Sequence, residues 1–321
     1  MKNKWYTSII AVFGFCLTTS ALQLQGGRMG ADVKINLRVV DEQGCPVPHA
    51  QVLYSLSRKI EQYDYFDGKA DKNGCFLVEG FTRQFLNYGA RHDGYYGSGY
   101  RVDCINSSTK EDAYNSDVQK TVILKRIESK GDLVVYDPQR NDVKIPALDK
   151  WLPLDLEMFD WVAPIGRGKH EDVLLRFSYA KGNASVWDYS AKMELSFTNN
   201  PYAGAYVKAK DDWSELKSDK KADTNANFKS MIEFGEVIRP DGKDNRYWLG
   251  EDSYLIYRTR TKVDEEGKLV SAHYGKIYGL WSSGKSNVRL PLGCFNPREN
   301  DPDIEDDRQV HEILKKYNTR F

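Results

Sequence analysis

Five histidines are the first residues to test for chemistry: His49, His92, His170, His273 and His311. None is followed by Glu three residues on, and there is no His-Glu-x-x-His, so the common zinc spacings of a metallopeptidase are missing. No Gly-x-Ser-x-Gly elbow presents a nucleophilic serine. Ser107-Ser108-Thr109-Lys110 and Ser214-Glu215-Leu216-Lys217 fit Ser-x-x-Lys, but the Lys-Thr-Gly partner motif is absent and such short matches arise by chance. No P-loop or dinucleotide fingerprint occurs. In "NDPDIEDD", Asp301, Asp303 and Glu305 are two residues apart. Alternate carboxylates in a loop can gather oxygen ligands around Ca2+, although the loop Gly and distal Glu of an EF-hand are missing. The other reading is an acidic lead-in that places Asp306 or Asp307 near a helix cap.

Glycoside hydrolysis needs two carboxyl groups drawn from distant positions. Asp155, Glu157, Glu194 and Glu251 are candidates only in the sense that any chain with 46 acids offers some. The aromatics are more informative. Trp151, Trp161, Trp187, Trp213, Trp248 and Trp281 all fall beyond residue 150. Such rings either fill a core or stack on sugar faces. Trp187 and Trp281 sit in alternating runs and read as core. Trp213 sits in a polar stretch and is the candidate for ligand stacking.

The elements that would position these residues begin after an export signal. "MKNKWYTSIIAVFGFCLTTSALQ" has a basic start at Lys2 and Lys4, a short apolar run, and Thr19 and Ala21 as small residues before a cleavage point. That is a secretory layout over 1–21. The run is shorter than the about 20 residues of a membrane span; an uncleaved anchor is the alternative, and the only membrane contact expected. Cys16 follows Phe15, which argues against lipidation. Removing 1–21 takes away two lysines and no acid, leaving a net charge of −2. No basic face is available for nucleic acid. The expected location is the periplasm, the cell surface or the medium.

Short strand-like runs separated by turns dominate, as in an all-β protein. "VKINLRVVD" places Val33, Ile35, Leu37 and Val39 on one face. "AQVLYSLS" follows a Pro-containing turn. "FDGKADKNGCFLVEGF" reads as a hairpin about Asp71-Lys72-Asn73-Gly74. "NYGARHDGYYGSGYRVDCI" gives two strands around Gly94 to Gly99. "QKTVILKRI" closes the unit, with Val122 and Leu124 opposite Ile123. Seven strands over 33–127 suggest a sandwich.

"VDEQGCPVPHAQV", "GKADKNGCF" and "ARHDGYY" resemble the carboxypeptidase regulatory-like domain, a small prealbumin-like sandwich. Ala70 stands where that family usually has Thr; Gly94-Tyr95 is in place. The resemblance covers about a third of the chain and implies a fold. In that family the domain accompanies others and is not catalytic. With strands running up and down in order, the loops carrying Cys45 and Cys75 would share one end. A Cys45–Cys75 disulfide is then expected, the alternative being two free thiols. Cys104 would pair with Cys294 or stay buried and reduced.

Residues 128–153 read as a changeover, and 154–321 as a second β-rich, sandwich-like domain. "VLLRFSYAKG" and "VWDYSAKMELSFT" are strand-like. Asp264-Glu265-Glu266-Gly267 joins two strands of a meander, and "NVRLPLGCFN" adds a last strand. "KDDWSELKSDKKADTNANFKSM" reads as a long loop with one helical turn. "DDRQVHEILKKYN" spaces Val310, Ile313, Leu314 and Tyr317 as a short C-terminal helix. "RTRTKVDEEGKLVSAHYGKIYG" and "LGCFNPREN" are similar to segments following such domains in bacterial exported proteins of no assigned activity. The sequence reading is therefore an exported, non-catalytic binding or structural protein of the cell envelope, with a glycan or an envelope protein as partner. The alternative is a secreted glycan-active hydrolase. No cofactor is called for beyond the Ca2+ reading.

Overall fold

The computed structural model describes residues 30–59, 62–103, 119–128, 131–136, 142–183, 188–211, 213–241, 243–249, 252–278, 281–283, 287–289 and 293–305. The export segment, Cys104, Trp187, Glu251 and the C-terminal helix lie outside them. Among the described residues the chain is all-β, with no helix. It divides into two compact units. Unit one runs to Ile127 and also takes in Asp211–Lys217; unit two holds Glu128–Lys210 and the chain from Ser218 on.

Unit one contains β1 (Ala31–Asp41), β2 (Gln51–Lys59), β3 (Gln62–Lys69), β4 (Cys75–Thr82), β5 (Phe85–Arg91), β6 (Tyr95–Tyr96), β7 (Ser98–Asp103) and β8 (Gln119–Arg126). Two four-stranded sheets, β4-β1-β8-β6 and β3-β2-β5-β7, form a prealbumin-like sandwich. Seven strands are long and β6 has two residues. The alternation expected in β1 holds: Val33, Ile35, Leu37 and Val39 are buried against Val52, Leu56, Val78, Leu86, Val122 and Leu124. The order of the strands differs from an up-and-down chain. β1 pairs antiparallel with β4 and parallel with β8. The hairpin partner of β3 is β2, so the turn at Asp71–Gly74 carries the chain from one sheet to the other. Period-2 patterning records that a residue faces the core, but both sheets face the same core, so it cannot record which sheet a strand joins.

Unit two contains β9 (Val134–Val135), β10 (Asp142–Lys144), β11 (Trp151–Asp155), β12 (Asp160–Trp161), β13 (Val173–Lys181), β14 (Tyr189–Ser196), β15 (Gly204–Ala209), β16 (Met231–Ile238), β17 (Asn245–Arg246), β18 (Ser253–Val263), β19 (Leu269–Ile277), β20 (Trp281–Ser283), β21 (Asn287–Arg289) and β22 (Gly293–Phe295). The changeover 128–153 thus supplies strands of this unit. A six-stranded sheet, β12-β11-β13-β14-β16-β17, faces a five-stranded sheet, β15-β18-β19-β22-β9; a small sheet orders β10-β21-β20. Leu152, Leu175, Phe177, Met193 and Phe234 of the first sheet meet Leu255, Tyr257, Ile277 and Phe295 of the second. The other face of the five-stranded sheet is also covered. Tyr254, Ile256, Ala272 and Tyr274 pack with Ala222 and Ile304 from loops. Burial on both faces explains the unbroken apolar run Tyr254–Tyr257. The polar stretch after Ala209 is irregular, without the expected helical turn among its described residues.

Three loops share one construction. In Asp41-x-x-Gly44-Cys45, Asp71-x-x-Gly74-Cys75 and Asp264-x-x-Gly267-Lys268 the leading carboxylate accepts the N–H groups two and four residues on. The Gly N–H reaches back to the Asp carbonyl, and the Asp N–H to the carbonyl of the fifth residue. Each Gly holds φ between +75° and +80°, a region open to Gly without steric cost. The loops differ in surroundings. A Cβ on Gly44 would meet nothing within 4 Å, but one on Gly74 would stand 2.4 Å from the Val39 carbonyl oxygen. Gly44→Ala should therefore cost about 1 kcal/mol, the left-handed penalty alone. Gly74→Ala should cost at least about 2 kcal/mol more, since backbone must move. Urea-unfolding midpoints of the two variants measure the gap; equal losses would mean that the Val39 contact relaxes away.

Candidate ligand-binding site

Of the acids considered for catalysis, Asp155, Glu157 and Glu194 are tied into structure. Asp155, fully buried at the end of β11, accepts the N–H groups of Glu157 and Met158 on one oxygen and of Lys169 and His170 on the other. Asp172, also fully buried, holds the Leu156 N–H and two N–H donors of Arg260, at 2.9 and 3.0 Å. Arg260 also donates to Glu157 at 2.6 Å and to Asp155 at 3.4 Å. Its guanidinium lies 4.5 Å from the Phe295 ring centre. The arginine reaches this point from a bulge in β18, with φ at +50°. Beside it, the Tyr136 and Tyr257 hydroxyls meet at 2.7 Å, and burial pushes both phenols well above their ordinary range. Burial would raise the Asp155 carboxyl, but three backbone N–H groups and Arg260 outweigh it and hold the pKa below the usual value. Glu194 is lowered by its bond to Arg176, against burial and with help from Lys192. A general acid needs the opposite shift.

The Ca2+ reading of Asp301, Asp303 and Glu305 meets a different arrangement. Arg298 donates to Asp301 at 2.8 Å and to Asp303 at 3.2 Å. The remaining bonds descend the loop: Asp303 N–H to Asp301, Glu305 N–H to Asp303, and Glu128 N–H to Glu305. Among the described residues no three His, Cys, Asp or Glu side chains group as a metal set. Ser214 is buried, and among the described residues its hydroxyl has no hydrogen-bond partner.

The cysteine loops do lie at the same end of unit one, and the structure has no disulfide between them. Cys45 and Cys75 are free and exposed. Cys75 stands opposite Arg38 of β1, whereas the Cys45 carbonyl takes the Asp41 N–H. Three residues along a strand is roughly 10 Å, beyond the about 7 Å Cα limit of a disulfide. Cys294 is buried, its thiol donating to the Ile304 carbonyl at 3.7 Å.

Trp213 is where sequence and structure agree on an accessible ring. Its segment lies along the edge strand β7: Gly99 N–H donates to the Trp213 carbonyl at 2.7 Å, and Glu215 N–H to Gly97 at 2.8 Å. The Glu215 carboxylate accepts the Gly97 N–H. Lys125 clamps the segment through Asp211 at 2.9 Å and the Leu216 carbonyl at 2.9 Å. The indole stacks on Tyr100 with ring centres 5.4 Å apart, and Tyr100 stacks on Tyr88 at 5.6 Å. The three rings lead from the core outward: Tyr88 is 5% exposed and Trp213 44%. Other tryptophans divide differently. Trp161 is buried, its indole N–H on the Lys144 carbonyl at 2.7 Å. Trp248 is half-buried against the core. Trp151 is half-buried beneath Arg176. The Trp281 side chain lies outside what the structure describes.

No protein-family model matches the chain, and no curated protein matches it. Among solved structures it is similar to 3-chlorocatechol 1,2-dioxygenase from Rhodococcus opacus 1CP, at 12% identity and a TM-score of 0.24, over 30% of this chain and 60% of that one. It is similar also to the shaft pilin SpaA of Lactobacillus rhamnosus GG, at 10% identity and 0.23, over 76% and 93%. The major pilin SpaD of Corynebacterium diphtheriae follows at 11% and 0.23, over 82% and 81%. The chain spans less than two thirds of the dioxygenase. Superpositions this loose define no common activity.

Three predictions follow from the geometry. Iodoacetamide without reductant should label Cys45 and Cys75 in the folded protein and Cys294 only after denaturation, read by peptide mass; protection of the first two would restore the disulfide. Arg260→Met should destabilise by about 3–5 kcal/mol, because the buried carboxylates lose their cation. The Asp155 contribution is fully present above the unfolded aspartate value of about 4 and is lost as pH falls through the lower folded value. Asp155→Asn should flatten that acid limb in urea titrations taken at several pH values.

Proposed function

We propose that this is an exported, non-catalytic binding protein of the cell envelope. Its first unit acts as a carboxypeptidase regulatory-like domain and recognises glycan through Trp213. The observation that carries the reading is the Trp213 indole, held on two stacked tyrosines and still 44% exposed. A ring fixed in advance loses little freedom when a sugar stacks on it. Export rests on the basic and apolar pattern of residues 1–21. The family assignment rests on the motifs around Gly44, Gly74 and Gly94 and is supported by the pairing of β1 with β4 and β8. The hydrolase alternative draws no support from Asp155, Glu157 and Glu194, which pair with Arg260, Arg176 and backbone N–H groups.

The test is a pull-down of the protein with insoluble polysaccharides and cell-wall preparations, with sugar release assayed in the same tubes. Binding without release, weakened about tenfold in Trp213→Ala, is the expected result. Release of sugar, or binding indifferent to Trp213, would overturn it.

A further inference from the structure

The outward face of the six-stranded sheet in unit two carries a built row of side chains. Alternation turns Leu175, Phe177, Met193 and Leu195 into the core. Between them, Trp151, Arg176, Glu194 and Glu233 stand side by side across four strands in direct register. Arg176 lies over the Trp151 ring at 4.6 Å and grips Glu194 through two hydrogen bonds of 2.7 and 2.8 Å. Lys192 reaches both Glu194 and Glu233 at 3.3 Å. Beyond it, Gly235 leaves a gap that Tyr247 fills. A Cβ there would come within 2.7 Å of the phenol oxygen and 2.9 Å of Cζ. The tyrosine is thus laid against the sheet, yet stays 37% exposed.

Three properties of this row define its ligand. Two cations face two carboxylates, so the row has no net charge and no field to attract a polyanion or polycation. The Lys192 and Glu233 side chains stay accessible, at 36% and 48%, and their mutual pairing fixes them before any ligand arrives. Trp151 on β11 and Tyr247 over β16 bracket the row, three inter-strand steps or about 14 Å apart. A ligand that suits all three is uncharged, rich in hydroxyls, and long enough to lie under both rings. We propose that this face binds a neutral polysaccharide chain running across the strands. The Trp151–Arg176 pair and the Tyr247 ring contact its sugar rings, and Lys192 and Glu233 bond its hydroxyls. The site lies in the other unit from Trp213 and does not depend on it.

Native affinity gels containing hydroxyethylcellulose, glucomannan or laminarin test this, with alginate as the anionic control. Retardation in at least one neutral gel is expected, weakened about fivefold or more in Trp151→Ala and in Tyr247→Ala and persisting in Trp213→Ala. Hydroxyl-radical footprinting of the wild-type protein guards against misfolded variants: the retarding polysaccharide should shield Trp151 and Tyr247 from oxidation. Retardation in alginate alone, none in any neutral gel, unshielded rings, or variants that migrate as wild type would each overturn the proposal. Loss in Trp213→Ala only would overturn this face and leave the Trp213 site standing. Loss in the Trp151 and Tyr247 variants only would do the reverse.

Discussion

The sandwich of unit two is tied at one end by the guanidinium of Arg260. The arginine comes from β18, in the five-stranded sheet. Its acceptors flank the six-stranded sheet: Asp155 ends β11 and Asp172 directly precedes β13. A regular strand would not aim it there. The bulge after Thr259 and the left-handed φ of +50° do so, which is how bulges redirect side chains. The strain costs about 1–3 kcal/mol. Leaving two carboxylates buried without their cation would cost more, about 3–5 kcal/mol for such a pair. The comparison explains why a strained arginine persists in the middle of a strand.

A second anchor works on the opposite face of the five-stranded sheet. Lys276 is fully buried on β19 and donates to the Ser218 hydroxyl at 2.5 Å; Tyr278 meets the same oxygen at 3.0 Å. These bonds hold the loop after Ser218 against the sheet, where Ile304 N–H to Lys220 and Ala222 N–H to Pro302 continue the attachment. Loop cover of this kind needs polar partners, because backbone N–H groups taken from water must be satisfied. The lysine is thus part of the reason that a β-sheet face can be roofed by irregular chain.

Much of this was legible in the sequence where local rules suffice. The inward face of β1, the Asp-x-x-Gly turns and the hairpin at Asp264–Gly267 follow from alternation and from the Gly requirement at positive φ. The exposure of Trp213 followed from its polar surroundings. What was illegible is set by long-range geometry. Asp71–Gly74 has the chemistry of a hairpin turn, but whether its strands pair depends on which sheet each joins. Cys45 and Cys75 share an end of the sandwich, yet the register along β1 separates them. Arg258 and Arg260 look like outward charges of one alternating strand; the bulge that sends Arg260 inward has no local signature. The row from Trp151 to Glu233 needs three registers at once, each set by packing far from it.

The directions of the carboxyl shifts argue for what these surfaces can do. Asp155, Glu194 and Glu299 are all held below the ordinary range. The agents differ: backbone N–H groups and Arg260 for the first, Arg176 for the second, the Ser271 hydroxyl and Lys262 for the third. The consequence is the same, since a carboxylate surrounded by donors stays ionised and cannot deliver a proton near neutral pH. These acids are spent on position. Position is what a stacking surface requires: Arg176 is steadied over Trp151 by Glu194, and Glu233 meets the Tyr247 hydroxyl at 3.4 Å. The two carboxylates of the outward row, Glu194 and Glu233, thus hold Arg176 and the Tyr247 hydroxyl in place before any ligand arrives.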